Sequence, residues 1–155
     1  VAESPALAYF DTSALAKRYV AEDGSLRVRR LLRRHVVVSS AVAQVEICSA
    51  LRRRRAEGIL SEPVVQRVLR RVQSDVASWR SVAVIEVVVA LACELVRKHK
   101  LRTLDAIHLA SAETLRREGL PVPFVTADVR QAAAARAVGL SVIDARTDRA
   151  ISRGP

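Results

Sequence analysis

Four acidic residues stand in apolar sequence, where an unpaired carboxylate is costly. Asp11 follows Ala8-Tyr9-Phe10, and Glu46 lies within Ala43-Gln44-Val45-Glu46-Ile47-Cys48. Asp105 lies within Leu104-Asp105-Ala106-Ile107-His108-Leu109-Ala110, and Asp128 closes Phe124-Val125-Thr126-Ala127. Carboxylates gathered in one place repel and raise one another's pKa unless a cation joins them. Mg²⁺ or Mn²⁺, hard and oxygen-preferring, suits such a set. Either ion would acidify water and stabilise charge on a phosphodiester during in-line attack. Glu22, Asp23, Glu57, Glu62, Glu113 and Glu118 have ordinary loop or polar-face contexts, whereas Glu86, Glu94 and Asp144 sit in apolar surroundings and compete with the four.

Each of the four also has an ordinary explanation. Asp11 can cap the following helix, although Thr12 or Ser13 can do so instead. Asp105 belongs in the first turn of its helix, where the macrodipole favours negative charge. Asp128 and Gln131 have capping-box spacing. Glu46 is expected in mid-helix, which leaves only a solvated helix edge as its ordinary role. His108, one helical turn beyond Asp105, can help position that carboxylate or can be a packed helix residue.

The elements that must hold these side chains follow from local pattern. Leu7 to Phe10 is a short apolar run before a helix over Ala14 to Val20. A turn at Glu22 to Ser25 leads into a basic helix ending near Arg34, and His35 to Val38 is a β-branched strand. A long helix is expected from about Ser40 to Glu57, stopped at Gly58. Another begins at Ser61-Glu62-Pro63, with Val64, Val65, Val68, Leu69, Val72 and Val76 at helical spacing. A short strand near Ser81 runs into a helix reaching Lys98. A helix from Leu104 to Arg117, a strand from Phe124 to Thr126, a helix ending before Gly139 and a strand from Leu140 to Ile143 complete the series. This alternation predicts an α/β fold with a mostly parallel sheet covered by helices on both faces. Asp11 and Asp128 then lie beyond strand carboxyl ends, where such sheets gather their sites. Residues 1–145 read as one domain and 146–155 as a C-terminal tail.

Composition sets the surroundings of the site. The 155 residues are half hydrophobic and only 3% aromatic, so the core must be built from Val, Leu, Ile and Ala. The net charge of +10, mostly from Arg, favours polyanionic partners, nucleic acid first and an acidic protein second. Cys48 and Cys93 are far apart in apolar runs, as expected of buried thiols in a reducing cytoplasm. No stretch is long and apolar enough for a membrane span. The five scattered glycines form no phosphate loop, no nucleophile elbow is present, and the three histidines lack zinc spacing. A phosphotransferase of the haloacid-dehalogenase type would need a second Asp at position 13, which is Ser13. Acids surrounded by arginine are the polarity of a nuclease.

The chain resembles the PIN-domain ribonucleases, and within them the VapC toxins of VapBC toxin–antitoxin pairs. Asp11-Thr12-Ser13-Ala14-Leu15, Glu46, Leu104-Asp105-Ala106-Ile107-His108-Leu109-Ala110 and Thr126-Ala127-Asp128 carry the likeness, which extends from about Leu7 to Asp144. It implies a three-layer α/β/α PIN-like domain around a short parallel sheet, a Mg²⁺ or Mn²⁺ site, and endonucleolytic cleavage of RNA. It further implies that Asp11, Glu46 and Asp105 are metal ligands, with Asp128 completing the site or holding a second metal. Ser13 and Thr126 match positions whose hydroxyls support the acids. A homodimer silenced by a VapB-type antitoxin is implied as well. Val129, Arg130 and Gln131 add no further acid after Asp128, which bears on the second metal. Glu86, Glu94 and Asp144 match no acidic motif position and are expected at exposed edges or in local ion pairs. The other readings are a non-catalytic RNA- or protein-binding module of the same shape, and a nuclease acting on structured DNA.

Overall fold

A computed structural model describes residues 5–148. Five strands, β1 (Ala6–Phe10), β2 (His35–Ser40), β3 (Arg80–Val82), β4 (Phe124–Thr126) and β5 (Val142–Asp144), form one sheet in the order β3-β2-β1-β4-β5. Every pairing is parallel. Seven helices connect them: α1 (Thr12–Tyr19), α2 (Ser25–Arg34), α3 (Ala43–Ala56), α4 (Glu62–Val76), α5 (Glu86–Lys98), α6 (Thr103–Arg117) and α7 (Val129–Ala137).

Strand alternation sorts the core into two halves. Ala8 and Phe10 of β1 pack with Leu15 of α1, Val28 of α2, Ile47 and Leu51 of α3, and Val65 and Val72 of α4. Tyr9, one residue out of phase, packs with Leu91 and Leu95 of α5, Leu109 of α6 and Ala135 of α7 on the other face. The fold is therefore the expected α/β/α sandwich. Each large apolar side chain withdrawn from water in this way contributes about 1.5–3 kcal/mol. The Tyr9 and Phe124 rings lie 5.4 Å apart and nearly parallel, fixing β1 against β4.

The central strand sets the location of the site. From β1 the chain turns onto one face through α1, and from neighbouring β4 it turns onto the other through α7. The crevice beyond these two carboxyl ends is a topological switch point.

Three sequence expectations are corrected by the fold. Ser39 and Ser40 stay in β2, where they pair with β3, so the next helix begins at Ala43. Glu46 is consequently in the first turn of α3 and not in mid-helix. Cys93 is exposed and Cys48 half-buried, because Leu91, Ala92 and Leu95 form the inward face of α5. Of the expected tail, residues 149–155 lie outside the described residues. Asp148 accepts the Arg27 N–H at 2.8 Å and so caps α2, whose own N-cap residue, Gly24, has no side chain to do it.

Candidate active site

All four candidate acids stand at helix N-termini. Asp11 is the N-cap of α1, Glu46 and Asp105 occupy the first turns of α3 and α6, and Asp128 is the N-cap of α7. Unpaired backbone N–H groups and the positive end of each helix favour carboxylates there. Capping places only two of them, since Asp11 and Asp128 accept backbone N–H groups of their helices, whereas Glu46 and Asp105 are held by side chains, Thr12 and His108 for the one and Gln131 for the other.

Asp11 is completely buried. One of its oxygens, Oδ1, accepts the Ala14 N–H at 2.8 Å. The Ser13 hydroxyl lies 2.8 and 2.9 Å from the two carboxylate oxygens, and Thr126 Oγ1 donates to Oδ2 at 2.6 Å. Burial pushes the Asp11 carboxyl above the usual carboxylate range, against the opposing pull of the Thr126, Ala14 and Ser13 hydrogen bonds. Those two hydroxyls also reach the next loop, since Ser13 Oγ accepts from Ala127 N and Thr126 Oγ1 from Asp128 N. Asp11, Ser13, Thr126 and Asp128 therefore form one connected network.

Glu46 and Asp105 are held separately. Glu46 Oε2 accepts from Thr12 Oγ1 at 2.7 Å and lies 2.7 Å from His108 Nε2. Of the two roles open to His108, the structure shows a buried, hydrogen-bonded helix residue whose ring meets Glu46 and not Asp105. Asp105 Oδ1 accepts from the Gln131 side chain at 2.8 Å. Gln131 does not close a capping box with its side chain, since only its backbone N–H reaches Asp128, at 3.0 Å. Thr12, His108 and Gln131 are thus supporting residues. Adjacency to Asp11, the spacing from Asp105 and the spacing from Asp128 were their only signals in the sequence.

Among the described residues, no three His, Cys, Asp or Glu side chains stand close enough to hold a metal ion as a group. The donor chemistry nonetheless fits Mg²⁺ or Mn²⁺. All four side chains are carboxylates, and Glu46 Oε1, Asp105 Oδ2 and Asp128 Oδ2 accept no hydrogen bond from the described residues. In a chain carrying 26 basic residues, Lys and Arg partners go to Glu22, Glu62, Asp75, Glu94, Glu113 and Asp144. None goes to the four acids among the described residues. Of the three competitors, Glu86 is exposed, Glu94 pairs with Lys98, and Asp144 is buried against Arg146.

Glu46 and Asp105 both line a groove of about 620 Å³, which Asp11 and Asp128 do not line. Arg53 and Arg102 line it beside exposed Val45 and Leu104. A polyanion drawn to the arginines would lie against the two acids.

The PIN domain family model matches residues 8–137. The chain is 37% identical to Ribonuclease VapC46 of Mycobacterium tuberculosis over 87% of its own length and 95% of the relative's. It is 34% identical to Ribonuclease VapC45 of the same species over 92% and 98%. Two solved structures share the fold. A toxin–antitoxin complex from Klebsiella pneumoniae superposes with a TM-score of 0.63 at 16% identity, covering 90% of this chain and 98% of that one. VapC20 of Mycobacterium tuberculosis, described as a sarcin-ricin loop cleaving toxin, gives 0.60 at 22% identity over 81% and 93%.

Proposed function

The chain belongs to the PIN-domain family, among the VapC ribonucleases, and on that footing we propose that it is a metal-dependent endoribonuclease serving as the toxin of a toxin–antitoxin pair. The observation that carries this reading is that four carboxylates stand at helix N-termini near the sheet's switch point without Lys or Arg partners among the described residues, in a strongly basic chain. Asp11, Glu46 and Asp105 would hold Mg²⁺ or Mn²⁺, and Asp128 would complete the set. When bound there, such an ion would supply Lewis-acid stabilisation of the phosphodiester and a lowered pKa for water. Ser13 and Thr126 orient Asp11, Thr12 and His108 orient Glu46, and Gln131 orients Asp105. Arg53 and Arg102 attract the RNA backbone into the groove and neutralise part of its charge.

The partners follow from the same reading. Relatives of like fold occur in toxin–antitoxin complexes, which supports a cognate VapB-type antitoxin covering the groove. A homodimer is supported by α5 and the residue before it, where Ile85, Val87, Val89 and Val96 are exposed. No helix among the described residues is long and apolar enough to cross a membrane. The reading extends to a cytoplasmic enzyme, with residues 1–145 as its single domain.

Labelled RNA and DNA pools incubated with Mn²⁺, with and without EDTA, test the proposal. Cleavage of RNA that EDTA abolishes is expected. Salt-sensitive RNA binding without turnover would instead favour a non-catalytic module, and preferential cleavage of DNA would overturn the RNA assignment.

A further inference from the structure

His108 uses both ring nitrogens while its side chain is only 1% exposed. Nδ1 lies 2.9 Å from the Tyr9 hydroxyl. Nε2 lies 2.7 Å from Glu46 Oε2 and 2.9 Å from Thr12 Oγ1. A phenol at neutral pH is protonated and can donate, and the ring nitrogen that receives its proton must be an acceptor. The other nitrogen then carries N–H, and it faces a carboxylate, which only accepts. One tautomer therefore satisfies the whole line: Tyr9 O–H to Nδ1, and Nε2–H to Glu46. Thr12 completes it by donating its hydroxyl proton to the same Oε2 at 2.7 Å while its oxygen receives a share of the Nε2–H.

The line is anchored at its far end. Tyr9 sits on the central strand two residues before Asp11, and its ring stacks on Phe124. His108 meets Tyr9 edge-on, with ring centroids 6.0 Å apart. A buried histidine merely filling space would not need three polar neighbours on two sides. From this geometry we infer that His108 is a positioning residue that, backed by Tyr9, holds Glu46 by Oε2 and presents Oε1 to the metal. The inference rests on the metal-site reading above. Orienting partners of this kind typically change metal affinity by about tenfold to a hundredfold when removed.

The test measures Mn²⁺ affinity of the full chain by titration calorimetry, with circular dichroism melting to confirm folding. His108→Leu keeps bulk without a donor, and His108→Gln restores an N–H near the position of Nε2. His108→Leu is expected to bind Mn²⁺ roughly tenfold more weakly, and His108→Gln to recover most of the loss. Tyr9→Phe, which keeps the stack, is expected to lose about threefold, less than removal of the direct partner. Wild-type affinity in His108→Leu, or equal losses in His108→Leu and His108→Gln, would overturn the inference. Should either His108 variant not fold, Tyr9→Phe decides, because unchanged affinity there removes the anchored line. Glu46→Ala separates the two levels. If it binds Mn²⁺ as tightly as wild type, the metal-site reading fails and carries the inference with it. A loss in Glu46→Ala beside an unchanged His108→Leu overturns the inference alone.

Discussion

Replacing Asp11 should separate its structural work from its chemical work. The carboxylate caps α1 through the Ala14 N–H and accepts the Ser13 and Thr126 hydroxyls. Asp11→Ala removes all three. The lost cap costs about 1 kcal/mol, and each stranded hydroxyl about another 1 kcal/mol. Asp11→Asn keeps an oxygen for Ala14 and Ser13, and its amide can donate to Thr126 Oγ1. The two variants should therefore differ by about 3 kcal/mol, or about 6–12 °C in melting temperature for a domain of this size. The pH dependence has a definite sign. Burial raises the folded-state pKa of Asp11 above its ordinary 3.8, so its stabilising contribution is fully present below that value and is lost as pH rises through the raised one. In EDTA, Asp11→Asn should thus gain on wild type as pH rises, and should be at least as stable at pH 7. Added Mn²⁺ should raise the melting temperature of wild type only, and both variants should be inactive. Thermal melts in EDTA from pH 4 to 8, repeated with Mn²⁺, make the measurement. An Ala variant melting at or above the Asn variant would refute this account of the Asp11 network.

Three further outcomes follow from other parts of the molecule. Gly24 has φ +87°, and a Cβ there would stand 2.1 Å from the Ala145 carbonyl oxygen, so Gly24→Ala should cost at least about 2 kcal/mol; a melting temperature within a degree of wild type would contradict it. Replacing both Arg53 and Arg102 by Ala should weaken binding of single-stranded RNA and flatten the plot of log affinity against log salt by about 1.4, at about 0.7 per phosphate contact; an unchanged slope would remove them from the RNA path. Burial of Asp75 is outweighed by hydrogen bonds from Arg18 and Tyr19, and its pKa is lowered, so its contribution is present above about 3.8 and lost as pH falls through the lowered value. Asp75→Ala should accordingly cost about 2–3 kcal/mol at neutral pH by stranding Arg18 and Tyr19, and its deficit in urea unfolding should shrink in acid; a deficit independent of pH would contradict that assignment.

Local chemistry was legible in the sequence, and long-range chemistry was not. Strand ends at Asp11 and Asp128, the first-turn position of Asp105 and the two-sided α/β pattern follow from turns, caps and periodicity. Each of those signals spans only a few residues. The helix α3 begins at Ala43, beyond the expected Ser40, because pairing with β3, some 40 residues later, keeps Ser39 and Ser40 in the strand. For His108, helical spacing makes proximity to Asp105 visible in the sequence, whereas its bond to Glu46 across 62 residues is not. Gln131 resembled a capping partner of Asp128, yet its side chain reaches Asp105 on another helix. Tertiary packing decided each of these, overriding a local preference worth about 1 kcal/mol or less.

Asp105→Asn gives the most direct test of the central claim. Asp105 faces the groove, and its one hydrogen bond among the described residues comes from the Gln131 side chain, so an amide there can keep the fold while removing a ligand charge. Single-turnover cleavage of labelled RNA should be compared for wild type and variant in Mn²⁺ and in EDTA. The account predicts cleavage by wild type only when Mn²⁺ is present, and loss of at least a hundredfold in a folded variant, about 2.7 kcal/mol or more of transition-state stabilisation. Cleavage by Asp105→Asn at the wild-type rate, or by wild type undiminished in EDTA, would contradict it.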